Sequence, residues 1–199
     1  MFKRTPLTAI AGMPATRFDQ DQRRGKLPRL DGTGKRTYTM RDAFRLRCYW
    51  QAADATDLDS AKLLSDRALE ALRPLDPFTW TDGVELHVAL IRYDWPDALE
   101  GWDCRHVIAG RWEDLRALAK AHVASVDPSA RLVSVIAFSA TAIANHVWRA
   151  ARELGLSETE SVPGIPEDLT GFPEWFREAE VERRTLAATW SDASDEGRA

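Results

Sequence analysis

The chain has 199 residues, 44% of them hydrophobic and 29% charged, enough for one medium or two small soluble domains with a packed core. No run of about 18 apolar residues occurs, so no segment reads as a membrane-spanning helix. The net charge of −4 hides a division: residues 1–50 hold 12 Lys+Arg against 4 Asp+Glu, whereas the other 149 hold 15 against 27, so a basic head built to meet a polyanion precedes an acidic body.

In chain order, LTAIAGM (7–13) carries Leu7, Ile10 and Ala11 at the spacing of a short helix. Thr5 and Pro6 ahead of it suit an N-cap and a proline in the first turn. Gly12 interrupts, Pro14 opens a second helix running to about Arg24, and Gly25 is a natural stop. Two short helices joined by a tight turn form a helix-turn-helix, with Phe18 anchoring the second helix on Leu7 and Ile10. LPRLDGTGKRTYT (27–39) has a DGTG turn whose flanks can pair as a small hairpin. A helix from Met40 to about Ala53 follows, capped by Thr39 with Asp42 in its first turn. Beyond the polar DATDLDS, residues 60–72 form an amphipathic helix with Leu64, Ala68 and Leu72 on one face, ended by Pro74 and Pro77.

The second half changes character. Residues 84–93 and 104–110 read as strands, 112–125 as a helix, 131–138 as a strand and 139–154 as a helix stopped by Gly155. The order β-β-α-β-α implies a small α+β domain. The tail is interrupted by prolines and then reads as a helix from about Pro173 to Trp190. The expected organisation is therefore a DNA-binding unit over 1–77, an α+β dimerisation or effector domain over 78–160, and an acidic helical tail over 161–199.

AGMPATRFDQDQRRGKLP, a glycine-containing hairpin and KRTYTMRDAFRLR together resemble the winged helix-turn-helix of the MerR and excisionase-like superfamily, over roughly residues 5–55. Arg36, Tyr38, Thr39, Asp42 and Ala43 fall on the motif after the wing. The resemblance implies sequence-specific binding of duplex DNA, usually by a dimer. Two departures stand out. Asp21 replaces an aromatic often found before the closing basic pair, placing an acid on the phosphate-facing side. Pro74 and Pro77 also exclude the long coiled-coil helix by which MerR regulators dimerise, leaving any dimer to the α+β half or the tail.

Arg and Gln make bidentate contacts to guanine and adenine edges, which points to Thr16, Arg17, Gln20 and Arg24 as base readers. Arg23, Lys26, Lys35, Arg36 and Arg41 suit phosphate contact, with Arg45 and Arg47 continuing the basic patch. Signs of catalysis are thin. Cys104 and His106 share a strand face without further ligands at metal-site spacing, and no nucleophile elbow or phosphate loop occurs. The acidic loop Asp94, Asp97, Glu100, Asp103 reads as solvated, and the eight tryptophans read chiefly as core. Cys48 and Cys104 lie far apart with no CxxC, and the N-terminus makes a poor secretory signal, so a reduced cytoplasmic protein is expected. The expected function is a non-enzymatic bacterial or phage-type transcriptional regulator without cofactor or metal, binding double-stranded DNA as a homodimer, with a protein partner or small ligand admissible at the α+β half. A DNA-packaging or recombination accessory (terminase small subunit or excisionase-like) and a protein-interaction adaptor are the alternatives.

Overall fold

A computed structural model describes residues 3–31, 37–72, 85–96 and 103–156. The chain starts with α1, Arg4–Ala11, and α2, Ala15–Arg23. Thr5, expected as the cap of α1, instead lies inside its first turn, because the helix begins at Arg4 after an extended Lys3. Pro6 keeps its place in that first turn, where a missing N–H loses nothing. Gly12 ends α1 at φ 65°, with its N–H on the Ala9 carbonyl and the Met13 N–H on Thr8, a Schellman stop. Gly25 at φ 66° and Gly155 at φ 67° close their helices by the same pair of bonds.

Next come α3, Met40–Ala55, and α4, Leu58–Ala71, packed on each other. Thr39 and Asp42 form a capping box: the Asp42 N–H donates to Thr39 Oγ1 while the Thr39 N–H donates to Asp42 Oδ2. α4 starts two residues ahead of the expected position because Asp57, in the stretch that reads as a polar break, accepts from the Asp59 and Ser60 N–H groups. Leu64, Ala68 and Leu72 are buried, as their spacing requires.

The second half has the expected order: β1, His87–Asp94; β2, Asp103–Gly110; α5, Leu115–Val126; β3, Arg131–Ser139; α6, Ala140–Glu153. The three strands form an antiparallel sheet ordered β2-β1-β3, so the described part of the chain is a mixed α+β structure. β1 lies in the middle and is covered on both faces, which is why HVALIRY reads as a nearly unbroken apolar run. One face, through Val88, Leu90, Val107 and Phe138, joins the helical core. The other, through Ile91, Tyr93, Ile108 and Val135, packs on Ala119 and Val123 of α5.

Residue 77, the expected domain edge, does not divide this core. Ile143, Ala144, Val147 and Ala151 of α6 belong to the same buried cluster as Leu7, Ile10, Phe18 and Phe44, and α6 packs against both α1 and α3. Two short helices with one turn between them enclose too little apolar surface to stand alone. The start of α6 is fixed to the sheet. Ser139 caps it through the Ala142 N–H, the Ala140 N–H donates to the Leu86 carbonyl, and the Leu86 N–H donates to Thr141 Oγ1. The expected boundary segment, the middle of the expected wing (residues 32–36) and the acidic helical tail over 161–199 lie outside the described residues.

Gly12 and Gly25 share one backbone conformation but not one environment. A Cβ at Gly12 would stand 2.8 Å from an Arg47 guanidinium nitrogen, whereas a Cβ at Gly25 meets nothing within 4 Å. Gly25→Ala is therefore expected to cost about 1–2 kcal/mol, the left-handed penalty alone. Gly12→Ala should cost more, because Arg47 must also give way. Urea unfolding midpoints of the two variants measure the difference.

Candidate nucleic-acid interface

α2 contains one large apolar side chain, Phe18, and it is fully buried against α1 and α3. Burying it stabilises the helix position by roughly 1.5–3 kcal/mol. A single anchor fixes a helix near the core but leaves its rotation loose, and a second contact sets that rotation. Asp21, one turn on from Phe18, is also fully buried. Its Oδ2 accepts from the Tyr49 hydroxyl of α3 at 3.0 Å and from Arg17 Nε at 2.7 Å. The acid expected on the phosphate-facing side thus points into the protein, because it has both a buried hydroxyl and a guanidinium to meet there. Burial raises the Tyr49 pKa, and its bond to Asp21 raises it further, so the phenol stays protonated and donating. The Asp21 hydrogen bond raises that of Arg17 in turn.

With Phe18 and Asp21 inward, the opposite face of α2 is set. Thr16, Gln20 and Arg23 follow the i, i+4, i+7 spacing of one helical stripe, and all three are exposed. Arg24, at the helix end, is exposed beside them. Arg17 is half-buried, its Nε committed to Asp21, so its guanidinium is held in one orientation at the edge of the stripe. Asp19 on the other flank pairs with Arg4 of α1.

The remaining expected contacts are distributed unevenly. Lys26 is half-exposed and its Nζ lies 2.6 Å from Asp59 of α4, a surface pair that contributes little and exchanges readily. Arg41 is exposed on the first turn of α3. Lys35 and Arg36, the expected wing cations, lie outside the described residues; Thr37 and Tyr38, just after them, are in bridge pairing, whereas residues 28–31 of the expected hairpin form no strand, and Tyr38 is buried. Arg45 and Arg47 do not continue the outward patch. Arg45 turns to Asp31 and to the Arg29 carbonyl, and Arg47 donates to the Ala11 carbonyl at the end of α1. They are fasteners of the loop and the turn, committed to carbonyls and a carboxylate of the chain rather than to an outward patch.

The chain leading to the expected wing is tied down by side chains of α3 and α4. The Asp31 N–H donates to Asp42, the Arg29 N–H donates to Asp66, and Lys62 donates to the Gly25 carbonyl. Leu27 and Leu30 pack on the core between these ties. Asp66, and the second role of Asp42 beyond its place in the first turn of α3, do not show in residue type or spacing, because their partners are backbone groups of a loop.

Away from this face, Cys104 and His106 do lie on one side of β2, where His106 stacks on His122 with ring centroids 3.8 Å apart. Among the described residues no group of three His, Cys, Asp or Glu could hold a metal ion, and both cysteines are free thiols. A cleft of about 340 Å³ opens between α4 and β2, lined by Leu63, Arg67, Glu70, Arg105 and His106. Trp112, grouped with the core tryptophans in the sequence, is 65% exposed, and Trp95 is half-buried. No helix of the described residues is long and apolar enough to cross a membrane. No protein-family model matches the chain, and no curated protein matches it.

Two outcomes follow from the buried contacts. Asp21→Asn should destabilise the fold by about 1.5–3 kcal/mol, since a charge-assisted acceptor is lost in a buried place, and Tyr49→Phe by about 1 kcal/mol; chemical denaturation gives both. The second outcome concerns acid. His146 of α6 faces the α1–α2 turn, its Nε2 lying 3.4 Å from where a Gly12 Cβ would be. Burial, with Arg47 and Arg149 nearby, lowers its pKa from 6.5, and Glu153 only partly offsets this. Burial and His122 lower that of His106 likewise. The unfolded chain thus binds protons more readily than the folded one, so stability is full above about pH 6.5 and falls as the pH drops through it. Replacing both histidines with Gln should flatten that slope in urea midpoints measured against pH.

Proposed function

We propose that the chain is a sequence-specific double-stranded DNA-binding regulator of bacterial or phage type, with α1 and α2 as a helix-turn-helix and residues 27–39 as its wing. The observation that carries this reading is the division of α2. Its inward face is sealed by Phe18 and Asp21, while Thr16, Gln20, Arg23 and Arg24 stand exposed in one stripe. A helix that enters a major groove needs that division, with polar side chains long enough to reach base edges.

Gln20 and Arg17 carry the base contacts in this reading, with Thr16 and Arg24 beside them. Asp21 acts as a positioning residue: it holds Arg17 in place before DNA arrives, so little side-chain entropy is lost on binding. Arg23, Lys26, Lys35, Arg36 and Arg41 neutralise phosphates. Lys26 exchanges Asp59 for a phosphate, a trade between exposed charges that costs little. The overall acidity of the chain does not oppose this reading, because the acidic excess lies beyond residue 50. The protein acts by binding rather than by catalysis, and as a dimer.

Selection of bound fragments from genomic DNA tests duplex binding and identifies the sites together. Affinity should fall steeply with salt, log K dropping by about 0.9 per phosphate contacted for each unit of log salt. Arg23→Ala should weaken binding to all sequences alike and reduce that slope by about 1. The double variant Arg17→Ala, Gln20→Ala should lose site preference yet keep residual non-specific affinity. Affinity for duplex that does not change with salt would end the proposal.

A further inference from the structure

β3 is an edge strand, and beyond its first three residues it lacks the usual defences of one. Among the described residues it pairs with β1 alone. The sheet's other border, β2, is flanked by α4 and bears Arg105, which is tied to Ser60 and Asp57. From Leu132 to Ser139 the third strand has no charge, no proline and no glycine: LVSVIAFS. Open strand edges of this kind pair with another strand unless charge, proline or a bulge prevents it.

One irregularity exists, and it lies at the strand's start. Arg92 is opposite Ser134 and Tyr93 is opposite Leu132, which leaves Val133 as an extra residue in the register. Val133 is pushed outward to 56% exposure. Ser134–Ser139 then continues in regular register with Arg92–His87. Val133 shares a shallow groove of about 420 Å³ with Trp112, Leu115, Leu132 and Val135, so the open edge is continuous with exposed apolar surface.

We infer that this edge is the seat of a second copy of the chain: β3 pairs antiparallel with β3 of its partner about a two-fold axis near Ile136, making one six-stranded sheet. The strand suits its own copy. With the axis at Ile136, Ser134 to Phe138 of one chain run against Phe138 to Ser134 of the other, and no like charges meet anywhere in that register. A strongly charged partner would find no complement within the strand itself. Arg131 and the cationic Arg116 and Lys120 of α5 lie outside the central pairing, the last two on the groove's wall. α5 packs on one sheet face and α6 lies on the other, so joining the sheets along β3 leaves both faces covered as they are. The inference supplies the dimer of the DNA-binding reading and rests on that reading only for its biological use.

The test uses the full chain in solution without DNA. Wild type should sediment at twice the chain mass, and amide exchange at residues 134–138 should slow as concentration rises through the dimerisation range. Ile136→Lys, which sets two charges face to face, should sediment as a monomer with an unchanged circular dichroism spectrum. Mixing it with Ile136→Glu should restore the pair. A wild-type monomer at every concentration overturns the inference, and so does a dimer whose 134–138 amides exchange at a rate independent of concentration. The exchange result requires no variant, so misfolding of Ile136→Lys cannot obscure the outcome. Duplex binding is scored separately: a β3-paired dimer that ignores DNA keeps this inference and ends the functional proposal.

Discussion

The orientation of α2 depends on one buried carboxylate. Nine residues with a single large apolar side chain do not hold a helix in register by burial alone, because one anchor leaves rotation about the helix axis nearly free of cost. The bond from the Tyr49 hydroxyl to Asp21 removes that freedom and fixes which side of α2 faces outward. Arg17 completes the arrangement, since it pairs with the same oxygen and brings a compensating charge to the edge of the buried site. A buried acid without either partner would be strongly unfavourable. The exposed stripe from Thr16 to Arg24 is therefore a consequence of what happens on the inner face.

The second organising constraint is that the two halves of the chain share one interior. α6 is fixed at its start by Ser139 and by the Leu86 backbone, and its apolar stripe lies against α1 and α3. Arg105 of β2 reaches Ser60 and Asp57, joining the sheet to the beginning of α4. The hydrogen bonds from the Ser60 hydroxyl and N–H, aided by the charge of Arg105, hold the Asp57 pKa down at about 2, so this cap stays ionised in moderately acidic solution. The basic head and the sheet are one body, linked by apolar packing at α6 and by charge at α4.

Much of this was legible in the sequence, because periodicity and stop signals are local. The β-β-α-β-α order, the Thr39–Asp42 cap and the glycine stops all follow from residues within a few positions of one another. The misplaced starts of α1 and α4 share a cause: Lys3 leaves its helix without a side-chain cap, and Asp57 hides its cap inside a polar run. What the sequence could not disclose was direction over distance. Arg17 and Asp21 stand at helical pairing distance, yet nothing local says that the pair turns inward to Tyr49, 28 residues further along. Arg45 and Arg47 read as patch residues for the same reason, since their acceptors, Asp31 and the Ala11 carbonyl, lie far away in the chain. The shared core crossing residue 77 was equally hidden. The apolar stripe of α6 specifies that something is covered, and only the fold names α1 and α3 as the partners.

The position of α6 bears on the order in which the protein can be made. α1 leaves the ribosome ahead of the other described elements, and the surface that helps to cover it, Ile143 to Ala151, belongs to the last of them. During synthesis the apolar side of α1 can meet α3 early, but it waits for nearly the whole described chain before its cover is complete. A fragment ending at the expected boundary would keep its basic surface and α3 but leave Leu7 and Ile10 without the part of their cover that α6 supplies.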